Sequence, residues 1–214
     1  MAEGIFSILK KIENEIDDFF SSISSAQKYR KIKTRLTNED LSYELFFSIR
    51  YLCDKNFNNI DSKQSLINLG IEEFNEACYI EIIIYYLFIG TLAVQLSIIP
   101  FSKKIGLGKA LLHNFWVWLE LRNKNQTMIN QIDELRKLRF EEYEAAYKKI
   151  FNHGYEDEWL NGMDILFDVF KTVLPPTKSN KNVFHLLPLL TFFTGTILSF
   201  TPIFVKRIDE TEIL

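Results

Sequence analysis

Two stretches of the chain carry no Asp, Glu, Lys or Arg over lengths that could cross a bilayer. Ile82–Ser102 reads IIIYYLFIGTLAVQLSIIPFS, and Asn182–Val205 reads NVFHLLPLLTFFTGTILSFTPIFV. As a helix, each extends about 30 Å or more, the thickness of the hydrocarbon core. A helix at the surface of a soluble protein keeps a polar stripe, so the pattern predicts that both segments are either fully buried or in lipid.

The remainder of the chain is amphipathic at helical spacing. Ile5, Ile8, Leu9, Ile12, Ile16, Phe19, Phe20 and Ile23 form one stripe over residues 4–24, opposite a mixed, slightly acidic face. That face predicts packing on protein, because helices lying on membranes carry basic polar faces. Thr37 is placed to cap a helix with the apolar face Leu41, Leu45, Ile49 and Leu52, and Asp40 stands where a capping box has Glu. Residues 56–70 are rich in Asn and Ser and read as loop. A helix starting near Ile71 leads into the first apolar segment, up to Pro100. Lys103, Lys104, Gly106 and Gly108 read as a turn. Residues 110–152 are helical in pattern with a weak point at Asn123-Lys124-Asn125. Trp159, Met163, Leu166, Phe167, Phe170 and Leu174 define a further helix, stopped by Pro175-Pro176. The last residues, Lys206 to Leu214, read as a short charged tail.

The predicted fold is therefore all-α, with about seven helices. Two of them are strongly apolar, forming a membrane hairpin or a buried central pair. Residues 1–36 read as an N-terminal amphipathic helix with a basic segment, and 37–214 as a helical body. Small residues fall four apart in both apolar segments: Ala93 and Ser97, next to Gly90, and Thr191, Gly195 and Ser199. Such faces let two helices approach closely in lipid, so these six positions are the predicted helix-packing contacts. Pro188 and Pro202 count against a straight second helix. The flanking Lys103, Lys104, Lys109, Lys178 and Lys181 would place residues 103–181 in the cytoplasm, and so would send the N-terminal region across the membrane without a cleavable signal peptide.

Composition narrows the class. Hydrophobic residues make up 47% of the 214 and charged residues 25%, which suits a polar body with concentrated apolar segments. Eight Gly and five Pro are too few for a turn-rich all-β fold. A net charge of −3 identifies no partner, but its distribution is uneven. Residues 36–81 hold three basic and nine acidic groups, a net of −6 just before the first apolar segment. Lys28, Arg30, Lys31, Lys33 and Arg35 form a basic run that could meet anionic lipid or a partner; with no nucleic-acid module beside it, nucleic acid is not expected. Cys53 and Cys78 are isolated and read as buried thiols in a reducing compartment.

Signs of chemistry are weak. Gly106-Leu107-Gly108-Lys109-Ala110 lacks both the first Gly and the Ser or Thr of a phosphate loop. Glu72, Glu73 and Glu76 could hold a cation only if Asp164 and Asp168 faced them, and read instead as a solvated face. Glu-x-x-His is absent, His153 reads as surface, His113 as a capping or core residue, and His185 as lying near an interface. No cofactor, metal or small-molecule substrate is expected. Phe115, Trp116 and Trp118 form an aromatic patch suited to an interface or a membrane boundary. The leading expectation is a non-catalytic, membrane-associated helical protein acting through a protein partner or self-association. The alternative is a soluble, cytoplasmic all-α binding or scaffolding module. An enzyme using the helix carboxylates ranks third.

Overall fold

The computed structural model describes residues 34–58, 76–122, 125–151 and 199–214. Their element order is β1 (Thr34–Leu36), α1 (Asn38–Asn58), α2 (Glu76–Leu96), α3 (Phe101–Arg122), α4 (Gln126–Phe151), a helix over 199–209 (α5) and β2 (Thr211–Ile213). The architecture is thus mostly helical, as the pattern predicts. Five helices, rather than about seven, and one apolar helix, rather than two, are present among the described residues. The predicted helices at 4–24 and near 159–174 lie outside them, as does most of Asn182–Val205.

The chain divides into two compact units. Among the described residues, one comprises 34–48, 89–116 and 199–214, and the other 49–58, 76–88, 117–122 and 125–151. In the first unit, Leu41, Leu45 and Phe46 of α1, Ile89, Leu92 and Ala93 of α2, Leu107, Leu111 and Phe115 of α3, and Phe200, Phe204 and Ile208 of α5 are buried. Phe46 and Phe115 meet edge to face at 6.5 Å. In the second unit the buried set is Ile49 and Leu52, the run from Tyr79 to Phe88, Trp118 and Leu119, and Ile129, Ile132, Tyr143 and Ala146 of α4. The four residues predicted to form the buried face of α1 are all in these cores.

Local chemistry explains the helix ends. The Thr37 hydroxyl accepts the Asp40 amide at 3.1 Å and donates to the Asp40 carboxylate at 2.8 Å. Asp is one methylene short of Glu and takes the cap's hydroxyl. Asn125 caps α4, its side-chain oxygen accepting the Thr127 amide at 3.0 Å, so the weak point in the 110–152 pattern is a true break.

Two boundaries differ from the sequence reading. The apolar segment Ile82–Ser102 is not one helix: α2 stops at Leu96, and Phe101 and Ser102 begin α3. The Ser97 hydroxyl donates back to the Val94 carbonyl at 2.7 Å, and the Ile98 amide is taken out of the helical ladder by Asp209 at 2.8 Å. Pro100 then accepts the amides of Lys103 and Lys104 at 2.9 and 3.0 Å, which starts the next helix early. The predicted turn over Lys103–Gly108 is accordingly helical. Gly106 is there for space, since a Cβ at that position would lie 2.5 Å from the Asn38 amide nitrogen.

The C-terminal residues are not a loose charged tail. The helix passes Val205 and runs to Asp209, and β2 pairs in parallel with β1 in the register Thr34↔Thr211, Arg35↔Glu212, Leu36↔Ile213. A backbone bond from Leu214 to Leu36 at 2.9 Å extends the pairing.

Candidate functional site

Helix α2 carries the polar chemistry of the second unit's interior. Its apolar run begins one residue after Glu81, and Glu81 is itself buried. The Arg139 guanidinium of α4 donates from Nε to Glu81, and from Nη1 to Glu142 at 2.7 Å. Burial pushes the Glu81 carboxyl above its ordinary range, and the charge of Arg139 acts in the opposite direction. Tyr143 follows on α4, its ring edge-on to Tyr85 at 5.1 Å, and burial raises both phenols. Glu81 and Arg139 form a buried ion pair that ties α4 to α2, with Tyr143 beside it.

A second cluster lies at the start of α2. The Tyr79 hydroxyl donates to Asp54 at 2.6 Å, and burial and this bond raise its pKa. The Arg122 guanidinium sits 4.9 Å from the Tyr79 ring centre and 5.6 Å from that of Trp118, while its Nε donates to Glu76 at 3.0 Å. Cys53 is enclosed beside this cluster; burial raises its thiol, which suits packing rather than nucleophilic attack. Among the described residues, no three of His, Cys, Asp and Glu gather as metal ligands would.

Two of the three aromatics expected to form a patch are buried. Phe115 is fully buried in the first unit and Trp118 is buried in the second, with Trp116 half-buried between them in sequence. Successive positions on a helix point 100° apart, so three aromatics within four residues cannot share one face. Arg35 lies on β1, exposed, with its Nε 3.1 Å from the Glu212 carboxylate. Lys28, Arg30, Lys31 and Lys33 lie outside the described residues. Gly90 and Ala93 are buried in α2, and Ser97 is buried just beyond it. Ser199 begins the described part of α5, half-buried, while Thr191 and Gly195 lie outside the described residues. Glu76 pairs with Arg122; Glu72, Glu73, Asp164 and Asp168 lie outside.

No family model matches the chain, and neither does any curated protein or solved structure at a significant level. The surface therefore has to speak for itself. From Leu41 to Ser48 in the first unit, the exposed positions of α1 are Tyr43 and Phe47, one helical turn apart, with Tyr43 64% accessible. The buried face Leu41, Leu45, Ile49 and Leu52 dominates the pattern of this helix, and the four-residue step from Tyr43 to Phe47 on its other side is equally visible in the sequence. At the turn between α2 and α3, Leu96, Ile98, Phe101 and Ile105 are also exposed.

Proposed function

We propose that the protein is a non-catalytic helical protein that works through protein contacts, with the aromatic ridge of α1 as its contact face. The observation that carries this reading is the ridge itself. A solvated helix face is normally polar, and here both exposed positions of α1 between residues 41 and 48, Tyr43 and Phe47, are aromatic. Tyr and Phe supply large contact area at low entropic cost, which is why interfaces use them. The Glu81–Arg139 pair of the second unit is enclosed and so serves the fold, whereas the Arg122–Glu76 pair is exposed and engaged with itself.

Among the described residues, one helix, Tyr79–Leu96, is long and apolar enough to cross a membrane. In our reading it is the inner helix of a protein core and not a lipid span. Of its residues, 83% are buried inside the protein, and its first turns hold Glu81 against Arg139. A lipid-facing helix would keep an apolar outer face, and would hold no such acid without function.

Two measurements test the proposal. A photo-crosslinking residue at position 47 should yield adducts with a protein chain, and the same residue at exposed Leu138 should not; equal yields would remove the ridge. Alkaline carbonate should release the protein from any membrane fraction; retention in the pellet would restore α2 as a span.

A further inference from the structure

The turn from α2 to α3 carries a second exposed surface, with a chemistry unlike that of the α1 ridge. Ile98 is 85% and Phe101 77% accessible, with Leu96 and Ile105 exposed beside them. Ile98 and Phe101 are the most exposed large apolar groups among the described residues of the first unit. Phe101, Ile105 and Lys109 follow at four-residue steps along the outer face of α3. The apolar tip is therefore continuous with a cationic flank.

The α2–α3 turn supplies charge of one sign, and among the described residues the one carboxylate bonded to it is that of Asp209, at the Ile98 amide. From Ile82 to Leu119 the chain contains no Asp or Glu, and its only Lys or Arg residues are Lys103, Lys104 and Lys109. Lys104 donates to the Gln95 carbonyl at 2.7 Å and keeps further N–H donors. Among the described residues, none of the three lysines has a carboxylate partner. Asp209 accepts the Ile98 amide at 2.8 Å and forms no ion pair with these lysines. The first turn of α3 has no acidic side chain, so Lys103 and Lys104 stand against the positive end of its dipole. Within the fold that placement is unfavourable. An anion outside the protein would make it favourable.

We propose that this turn docks on an anionic bilayer surface. Ile98 and Phe101 enter the interface, and Lys103, Lys104 and Lys109 meet lipid phosphates. Both required parts are present: apolar side chains to bury, and cations to pair with headgroups. Neither part alone suffices for stable attachment, and a neutral protein partner would leave the lysines without counter-ions. The surface is distinct from the α1 ridge, so this inference and the protein-contact reading can fail separately.

The test is co-sedimentation of the full chain with vesicles of phosphatidylcholine alone and of phosphatidylcholine mixed with phosphatidylglycerol. Binding is expected to the mixed vesicles only, and should weaken as salt is raised. Phe101→Ser and Ile98→Ser should each lower the affinity about tenfold, from the loss of one buried apolar side chain. Phe101→Leu should retain it. Lys103→Glu with Lys104→Glu should abolish the preference for anionic vesicles. All these positions are exposed or half-buried, and far-UV circular dichroism checks that each variant folds. Failure to bind mixed vesicles, or binding that all of these variants preserve, would overturn the proposal. So would a concentration-dependent dimer that Phe101→Ser disrupts in the absence of lipid binding, which would make the turn a self-association surface.

Discussion

Arg139→Leu is the most incisive perturbation of the interior. The side chains of Arg139 and Glu81 are only 10% and 4% accessible, so water does little to screen the pair or to replace either partner. Removing the cation leaves the Glu81 carboxylate buried, with Tyr143 and the like charge of Glu142 beside it. Breaking a buried pair in this way costs about 3–5 kcal/mol, against about 1 kcal/mol or less for an exposed pair. For a chain of this size that is a fall in melting temperature of roughly 6–20 °C. The pH dependence has a defined sign. Burial raises the Glu81 carboxyl in the folded state above its ordinary value of 4.5. Between those two values the folded chain binds more protons than the unfolded chain, so stability falls as pH rises through the window and returns on acidification. Arg139 opposes the shift, so its removal extends the window upward. Arg139→Leu should therefore be weakest at neutral pH and recover part of its loss on acidification. The double variant Glu81→Leu, Arg139→Leu should lie close to the parent at both pH values. Urea melts of the parent, the two single variants and the double variant, at neutral and mildly acidic pH, supply the complete cycle. A single-variant cost below 1 kcal/mol that ignores pH would show that Glu81 is hydrated, and would remove the case for α2 as a protein-enclosed helix.

Two further outcomes follow from helix geometry. Gly108→Ala should stabilise by roughly 0.5–1 kcal/mol, because a Cβ there meets nothing within 4 Å and the helix gains propensity. Gly106→Val should cost about 1–3 kcal/mol, because Asn38 must be displaced; thermal melts that rank the two variants alike would refute the close approach. Thr37→Ala should cost about 1 kcal/mol, read in the same melts, and an unchanged midpoint would mean that the cap does not hold α1.

Much of the helical framework was legible in the pattern. The buried face of α1 follows from four apolar residues at helical spacing, its start from Thr37, and the break before α4 from an Asn-rich triplet. Contacts that bring distant residues together were not legible. Asp209 ends the ladder of α2 from more than a hundred positions away, so Ile82–Ser102 read as one uninterrupted apolar helix. The two glycines of α3 read as a turn because nothing local reveals that Asn38 needs the space at Gly106. Three-residue strands are too short to show an alternating pattern, so β1 and β2 left no trace. Glu81 sits one residue outside the uncharged segment and was counted with the acidic block, whereas its partner, Arg139, lies 58 positions away. For the surface, composition drew attention to Trp116 and Trp118. The exposed rings prove to be Tyr43 and Phe47, on a helix whose hydrophobic residues cover both of its faces.

The parallel strand pair has a kinetic meaning. Its Arg35–Glu212 contact closes a loop of 177 positions, which for a flexible chain costs roughly 4–5 kcal/mol of entropy. Three residues on each side, and an exposed ion pair worth a few tenths of a kcal/mol, do not recover that. The strands therefore join only after the helices have drawn the two ends together. In the first unit that task falls to Arg207, whose guanidinium reaches Glu44 at 2.6 Å, and to Asp209 at the Ile98 amide. The strand pair is thus a late step in folding and an early one in opening. The Leu214 amide should exchange with solvent on the timescale of the contact between α5 and α1, making one backbone proton a reporter of whether that unit is assembled.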